Sequence, residues 1–154
     1  MIRRSIAIAA VLVLTLATAP TAVADEHGTN RPLTGAMTGE INFVQGDASC
    51  PMYTVPDGVG TVSHLGLVRS HSWHCMPTHK DGHWVMWAAD GDQLWAEYTV
   101  PQMPFWVTIT GGTGRFAGAT GGFMWHVRFW GEVKDGMPVN PWHFEGHLEG
   151  TISY

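Results

Sequence analysis

Apolar and aromatic residues recur along this chain in short runs, in which they alternate with polar or small residues. From Leu33 onward these runs are rich in Val, Ile, Thr, Trp, Phe and Tyr, and Gly, Pro or Asp interrupts them at intervals of roughly ten residues. Such a pattern is typical of all-β barrels and sandwiches, and the lack of any long amphipathic helix pattern excludes a parallel α/β sheet. We predict eight strands, over residues 34–45, 58–69, 70–76, 83–89, 93–100, 105–110, 122–133 and 141–153.

The last two predicted strands differ in the composition of their faces. Residues 123–130 place aromatic side chains on both faces, whereas residues 142–152 have one apolar face that includes Gly146 and Gly150. The opposite face of the last strand is polar and is predicted to be the outer one; it carries His143, Glu145, His147 and Glu149. An eight-stranded barrel can be filled by side chains or can hold one small ligand. The two glycines allow an internal apolar cavity, and the alternative is that tryptophans fill the core.

Residues 107–122, VTITGGTGRFAGATGG, form the most distinctive segment of the chain. Gly112, Gly114 and Ala117 satisfy the G-x-G-x-x-[GA] pattern of dinucleotide-binding proteins, but that pattern functions only where the glycines begin a helix. Each glycine costs about 1 kcal/mol in a helix relative to alanine, so this glycine-rich run cannot form one. We predict instead a tight turn between two strands that buries a phenylalanine. The turn residues are Gly111, Gly112, Gly114, Arg115, Phe116, Gly118 and Gly121.

Three segments resemble one known group of proteins. GGTGRFAGATG resembles the GGTGRF and GGSGIFEGVSG segments of dirigent proteins and allene oxide cyclases. Residues 63–66 and 88–92 are similar to the HLG and AxGD segments of bacterial allene-oxide-cyclase-like barrel proteins, in the same order and spacing. The resemblance implies a single calycin-like, eight-stranded antiparallel β-barrel over residues 33–154. It also implies non-redox cyclisation or coupling without a cofactor, and it allows a homo-oligomer whose interface the sequence does not locate.

The beginning of the chain has the pattern of a secretory signal. Arg3 and Arg4 precede an apolar run over 6–19, and Ala22-Val23-Ala24 forms a small-x-small cleavage site. We therefore expect residues 1–24 to be removed after export to the periplasm or the exterior, and residues 25–32 to form a flexible lead-in. The apolar run is too short to span a bilayer, so stable membrane insertion is not expected.

Charge and cysteine content narrow the choice of partners further. Outside the signal, six Lys and Arg face thirteen Asp and Glu, and no basic stripe suited to a nucleic acid is present. Cys50 and Cys75 are an even pair in an exported chain, which favours a disulfide. The alternative is a free thiolate at Cys75 beside the neighbouring histidines.

The densest group of metal-ligand residue types lies in residues 71–83. It comprises His71, His74, Met76, His79 and His83, a combination of imidazole and thioether that suits copper, while imidazole alone suits zinc. If residues 70–76 form a strand, His71 and His74 lie on opposite faces, and only His74 and Met76 share one. A solvated turn is therefore the main interpretation of this cluster, and a metal site is the alternative.

Five other polar residues lie within apolar or motif-like surroundings. His64 and His126 sit in otherwise apolar strands, where an imidazole could orient a ligand or transfer a proton. Glu40 and Asn42 belong to an EIN triplet that resembles the first strand of allene oxide cyclases, and Arg128 could neutralise a ligand carboxylate. We regard these five as candidate catalytic or ligand-binding residues, against the alternative of satisfied or outward-facing polar groups.

The sequence thus favours an exported β-barrel that binds a small apolar or aromatic molecule. If it is an enzyme, we expect a cofactor-independent isomerase or cyclase that acts by positioning its ligand. Two alternatives stay open: an extracytoplasmic copper- or zinc-binding module, and a filled barrel that acts through its surface as an interaction protein.

Overall fold

The chain folds into one closed antiparallel β-barrel. The computed structural model describes residues 28–78, 80, 82–100 and 102–154, so the signal predicted over 1–24 lies outside the described residues. Each strand pairs with its neighbours in sequence, and the last pairs with the first to close the barrel. The predicted all-β barrel is confirmed. The strands are β1 Arg31–Gln45, β2 Met52–Val62, β3 Gly66–Met76, β4 Gly82–Trp87, β5 Gln93–Tyr98, β6 Phe105–Gly112, β7 Thr120–Lys134 and β8 Met137–Ser153.

The predicted boundary between the second and third strands was wrong. The sequence pattern suggested a strand over 58–69 followed by one over 70–76, but the chain turns at residues 63–65, and Arg69 and Ser70 are consecutive residues of β3. Pro56 lies within β2, opposite Ile41 of β1, so the proline does not end the strand. The turn is made by His64, a non-glycine residue with φ of 68°, and by Gly66 with φ of 72°.

The two ends of the barrel differ. At one end, which we call the closed end, lie the β2–β3, β4–β5 and β6–β7 turns, and the buried side chains of Leu33, Phe116 and Ile152 fill the interior. The other end, called the open end, carries the β1–β2, β3–β4, β5–β6 and β7–β8 connections. Gly28 at the closed end exchanges two backbone hydrogen bonds with Tyr154, so the segment just before β1 pairs with the end of β8.

Arg115 joins the three turns of the closed end. It follows Gly114 in a single 3-10 turn, Gly114–Phe116, and its guanidinium donates to the carboxylates of Asp90 and Asp92 and to the carbonyl of His64, the last at 3.1 Å. The three segments that carry the family resemblance therefore meet here. Phe116 is fully buried, as the sequence predicted, and its ring lies beneath the guanidinium of Arg115.

The glycines on the inner face of β8 do not leave the space that the sequence suggested. The indole of Trp125 lies against Gly146, and Phe123 lies against Gly150, so a β-carbon at either glycine would collide with its neighbours. A large ring over a glycine on the adjacent strand is how this barrel packs its wide aromatic side chains. The predicted polar outer face of β8 is confirmed, since its buried residues are Phe144, Leu148 and Ile152 on the opposite face.

Cys50 and Cys75 form the predicted disulfide, with their Cα atoms 5.5 Å apart. The bond ties the β1–β2 connection to the end of β3 at the open end of the barrel. Disulfides persist in oxidising compartments, which agrees with an extracytoplasmic protein. Within the described ranges, no helix is both long enough and apolar enough to cross a bilayer.

Candidate functional site

A cavity of about 300 Å³ occupies the interior of the barrel at its open end. Met103 and Phe129 line it and are themselves 45% and 37% exposed, which places its mouth between the β5–β6 connection and β7. This end of the barrel is therefore hollow and not filled. The cavity lies at the lower end of the volume range of small-molecule sites. Its walls are formed by Ile41, Phe43, Thr54, Pro56, Ser70, Ser72, His74, Met76, Trp84, Tyr98, Val100, Met103, Phe105, Trp125, Phe129, Trp142 and Phe144.

Aromatic rings in edge-to-face contact form the floor of the cavity. Trp84 packs against Trp125 with ring centroids 5.1 Å apart and planes at 79°, and Trp125 contacts Phe144 at 6.3 Å. Trp84 also meets Tyr98 at 6.3 Å. Contacts of this geometry are favourable beyond the burial of area alone, and they restrict the rotation of each ring. The floor is thus a rigid apolar surface.

The buried residues with polar side chains lie on the adjacent strands β2 and β3. The buried polar residues of the described chain are Thr54, Ser70, Ser72 and His74, and all four line this cavity. Ser70, Ser72 and His74 alternate along β3, so all three point inward. Burial of polar side chains is unfavourable without hydrogen bonds, and their concentration at one cavity marks it as the candidate binding site.

Tyr98 connects β3 to β5. Its hydroxyl lies 3.2 Å from Nδ1 of His74 and also hydrogen-bonds the side chain of Ser72. Burial raises the pKa of Tyr98 to about 12, and the hydrogen bond from Ser72 opposes that increase. The phenol therefore stays protonated at neutral pH. We call Tyr98, Ser72 and His74 the hydroxyl cluster.

Gly82 positions the phenol ring. Tyr98 pairs with Gly82 across the β4–β5 ladder, and a β-carbon on Gly82 would lie 2.5–2.7 Å from the ring atoms of Tyr98. The ring can lie flat on β4 only because residue 82 has no side chain. The strand backbone thereby holds the hydroxyl next to His74.

Two further wall residues have polar atoms without a hydrogen bond among the described residues. They are Oγ1 of Thr54 and Nε1 of Trp84, both buried. Thr54 pairs with His74 across the β2–β3 ladder, and Trp84 pairs with Ser72 across β3–β4. Both residues are thus neighbours of the hydroxyl cluster, and each unpaired atom costs free energy in the unliganded protein.

None of the five candidate residues from the sequence lines the cavity. Glu40 and Asn42 alternate with Ile41 and Phe43, which line it, and therefore lie on the outer face of β1. His64 lies in the β2–β3 turn at the closed end, where its Nε2 is 2.9 Å from the carbonyl of Pro32. Their proposed catalytic or binding roles stay predictions, and the structure does not bring these three residues together.

His126 and Arg128 lie on the outer face of β7, beside the polar face of β8. The ring of His126 stacks on that of His147 at 4.6 Å, and its Nε2 is 3.3 Å from Glu149. Arg128 forms an exposed ion pair with Glu145 at 2.7 Å. This pair of residues therefore shares one surface, which is separate from the cavity.

The histidine-rich segment is divided between the two faces of the sheet. His71 and His83 point outward, where His71 bonds Asp57 at 2.7 Å and His83 stacks on Trp73 at 5.1 Å. His74 and Met76 line the cavity, as predicted for a shared face, and His79 lies outside the described residues. Within the described part of the chain, no three His, Cys, Asp or Glu side chains are grouped so that they could hold a metal ion.

The residues that build the cavity could have been recognised by their position in the alternation. Ser70 and Ser72 occupy the same face of β3 as buried Val68, and Tyr98 occupies the same face of β5 as buried Leu94 and Ala96. A polar side chain at an inward position is the relevant signal. Of the five candidate residues, His64 and His126 were chosen for apolar neighbours in sequence, and in a strand such neighbours lie on the opposite face.

Comparison with known proteins adds evidence on the fold. No protein-family profile matches the chain, and no curated protein sequence matches it. The solved structure of a pterocarpan synthase dirigent protein is similar, with a TM-score of 0.53 and 15% sequence identity over 91% of this chain and 99% of that one. The barrel is therefore dirigent-like in fold, as the GGTGRF segment implied.

Proposed function

We propose that this protein binds one small apolar or aromatic molecule inside the open end of its barrel. The cavity of about 300 Å³ between the aromatic floor and the hydroxyl cluster is the observation that carries this proposal. A pocket with mostly apolar walls and a few converging polar groups is the usual form of a small-molecule site. The unpaired polar atoms of Thr54 and Trp84 support it further.

We further propose that the barrel directs the conformation of its ligand and so steers a cofactor-independent cyclisation or coupling. Rigid walls that hold a flexible molecule in one reactive geometry can lower a barrier by several kcal/mol through positioning alone. The neutral phenol of Tyr98 would orient the ligand without supplying a nucleophile. The similar fold of a dirigent protein named as a pterocarpan synthase is consistent with this class of activity.

Titration with a lipophilic fluorescent dye tests ligand binding directly. We expect saturable binding, and we expect Val100→Trp to abolish it, because Val100 lines the cavity and a large indole there would fill the entrance. Val59→Trp is the matched control, since Val59 is 55% exposed on the outer face of β2. Non-saturable dye uptake, or equal binding by both variants, would contradict the proposal.

Export to an oxidising compartment is part of the same proposal. The signal pattern at residues 1–24 and the Cys50–Cys75 disulfide support it. Expression of the full chain followed by fractionation should yield a mature protein that begins at Asp25. Retention of the uncleaved chain in the cytoplasm would contradict it.

Binding of monovalent copper is the second candidate function. The observation in its favour is that His74, Met76 and Met103 line the same cavity, since imidazole and thioether ligands suit copper. Protein purified without a His tag should then contain stoichiometric copper, and Met76→Leu should lower that content. If the purified protein contains no copper but still binds the dye, copper binding is rejected and binding of an apolar ligand is retained as the proposed function.

A further inference from the structure

The charge of the cavity wall restricts the ligand that it can accept. No Lys, Arg, Asp or Glu is among the described residues that line it. A carboxylate or ammonium group that entered would lose its hydration with no Lys, Arg, Asp or Glu side chain in the lining to pair with it, which is unfavourable. Arg128, the one residue that the sequence suggested as a partner for a carboxylate, is paired with Glu145 on the outer surface.

The polar atoms of the wall restrict the ligand in a second way. The hydroxyls of Tyr98 and Ser72 can each donate one hydrogen bond and accept others, and Nδ1 of His74 donates or accepts according to its tautomer. If His74 donates to Tyr98 and Tyr98 donates to Ser72, the hydroxyl of Ser72 can donate to a ligand oxygen; if the protons run the other way, the oxygen of Ser72 can accept from a ligand hydroxyl. The aromatic floor adjoins this cluster, since Trp84 pairs with Ser72 and contacts Tyr98, and it offers ring faces and edges.

We propose that the cavity selects an uncharged, ring-containing ligand that presents a carbonyl or hydroxyl oxygen to the hydroxyl cluster. The rings would lie on the floor formed by Trp84, Trp125 and Phe144, and the oxygen would complete the hydrogen bonding of Tyr98 and Ser72. This inference rests on the proposed function, because it names the ligand class of the same cavity. It adds two preferences. The cavity should bind neutral ligands more tightly than anionic ones, and Tyr98 should make it bind ligands with an oxygen more tightly than hydrocarbons.

Three naphthalene compounds test the two preferences separately, and the affinity of each is measured by displacement of the bound dye. They are 2-acetylnaphthalene, the hydrocarbon 2-isopropylnaphthalene of nearly equal shape, and the anion 2-naphthoate. We expect the ketone and the hydrocarbon to displace the dye, and the anion to compete at least about a hundredfold more weakly than the ketone. This comparison needs no variant and therefore does not depend on the folding of one.

Tyr98→Phe removes only the hydroxyl and keeps the ring over Gly82. We expect this variant to bind the ketone about tenfold more weakly, while its affinity for the hydrocarbon should change by less than about twofold. Ser72→Ala should act in the same direction on the ketone and serves as a second, independent variant. Val59→Trp is the control for both.

The outcomes distinguish this inference from the proposed function. If neither the ketone nor the hydrocarbon displaces the dye, the ligand site itself is wrong and both proposals fail. If the hydrocarbon binds but the anion competes as well as the ketone, or if both variants leave the ratio of ketone to hydrocarbon affinity unchanged, only the present inference is overturned.

Discussion

Tyr98 shows how single residues shape this site. Its ring lies over Gly82, its hydroxyl meets His74 and Ser72, and its burial keeps it neutral. The same residue is thus part of the wall packing and the main polar group of the cavity. A change at Gly82 should act through Tyr98, because a methyl group there would displace the ring.

The raised pKa of Tyr98 predicts a loss of stability in alkaline solution. Tyrosine in the unfolded chain has a pKa of 10.0 and Tyr98 in the fold about 12, so between these values the unfolded state loses its proton first. The stabilisation is complete below pH 10 and disappears as pH rises through 12, with a total of about 3 kcal/mol. Denaturant unfolding between pH 10 and 12 should show this decline in the free energy of unfolding, and the decline should be shallower in Tyr98→Phe. Equal slopes of the free energy against pH in the two proteins would show that Tyr98 is not the responsible group.

Thr54 provides a second prediction at this scale. Because Oγ1 of Thr54 is buried without a hydrogen bond, Thr54→Val should stabilise the unliganded barrel by about 1 kcal/mol. Thr38→Val is the matched control, since Oγ1 of Thr38 donates to the carbonyl of Phe144 at 3.0 Å and its removal should destabilise by a similar amount. Thermal unfolding of both variants measures the difference, and a loss of stability on changing Thr54 would show that its hydroxyl is satisfied in solution.

The sequence placed His74 and Met76 on one face, and both line the cavity, but none of its five candidates for catalysis or ligand binding does. A strand buries every second side chain, so the choice of face decides whether a histidine is functional or solvated. His126 and His74 are both imidazoles within aromatic surroundings, yet His126 lies outside and His74 inside. Only the pairing of neighbouring strands, which sequence alone does not give, separates the two.

At the scale of elements, the β6–β7 turn is the part of the fold that the sequence described best. Its glycines have positive φ at Gly111, Gly114, Gly118 and Gly121, as a tight turn between two strands requires. Strands β2 and β3 were less predictable, because Pro56 lies inside a strand and His64 occupies a turn position that glycine usually fills. Local composition suggested a strand boundary between Arg69 and Ser70, but pairing with β2 and β4 continues across these two residues of β3.

Two glycines of this turn should differ in their tolerance of substitution. Gly114 and Gly118 have φ of 55° and 75°, but a β-carbon on Gly114 would collide with the carboxylate of Asp92, whereas one on Gly118 would meet open space. Gly118→Ala should therefore lower the free energy of unfolding by about 1–2 kcal/mol, because alanine is strained in this backbone conformation. Gly114→Ala should cost more, because it also displaces Asp92 from Arg115. Equal costs in chemical denaturation would mean that the Arg115 network contributes little.

At the scale of the whole molecule, the two ends of the barrel are stabilised by different means. Turns joined by Arg115 and a filled interior hold the closed end, while the cavity occupies the open end, where the Cys50–Cys75 disulfide is the covalent tie. A hollow end has fewer packing contacts to keep its connections in place. The disulfide therefore lies at the end of the barrel where a cavity takes the place of packed core side chains.

Removal of the disulfide should weaken stability and binding together. The double variant Cys50→Ser, Cys75→Ser frees a loop with a sequence separation of 25, which corresponds to about 3 kcal/mol on the chain-entropy account and to a fall in Tm of roughly 10 °C. Since Met76 follows Cys75 and lines the cavity, dye affinity should also decrease. Hydrogen exchange should accelerate more in the β1–β2 connection than around Phe116; equal acceleration at both ends would show that they are not independently stabilised.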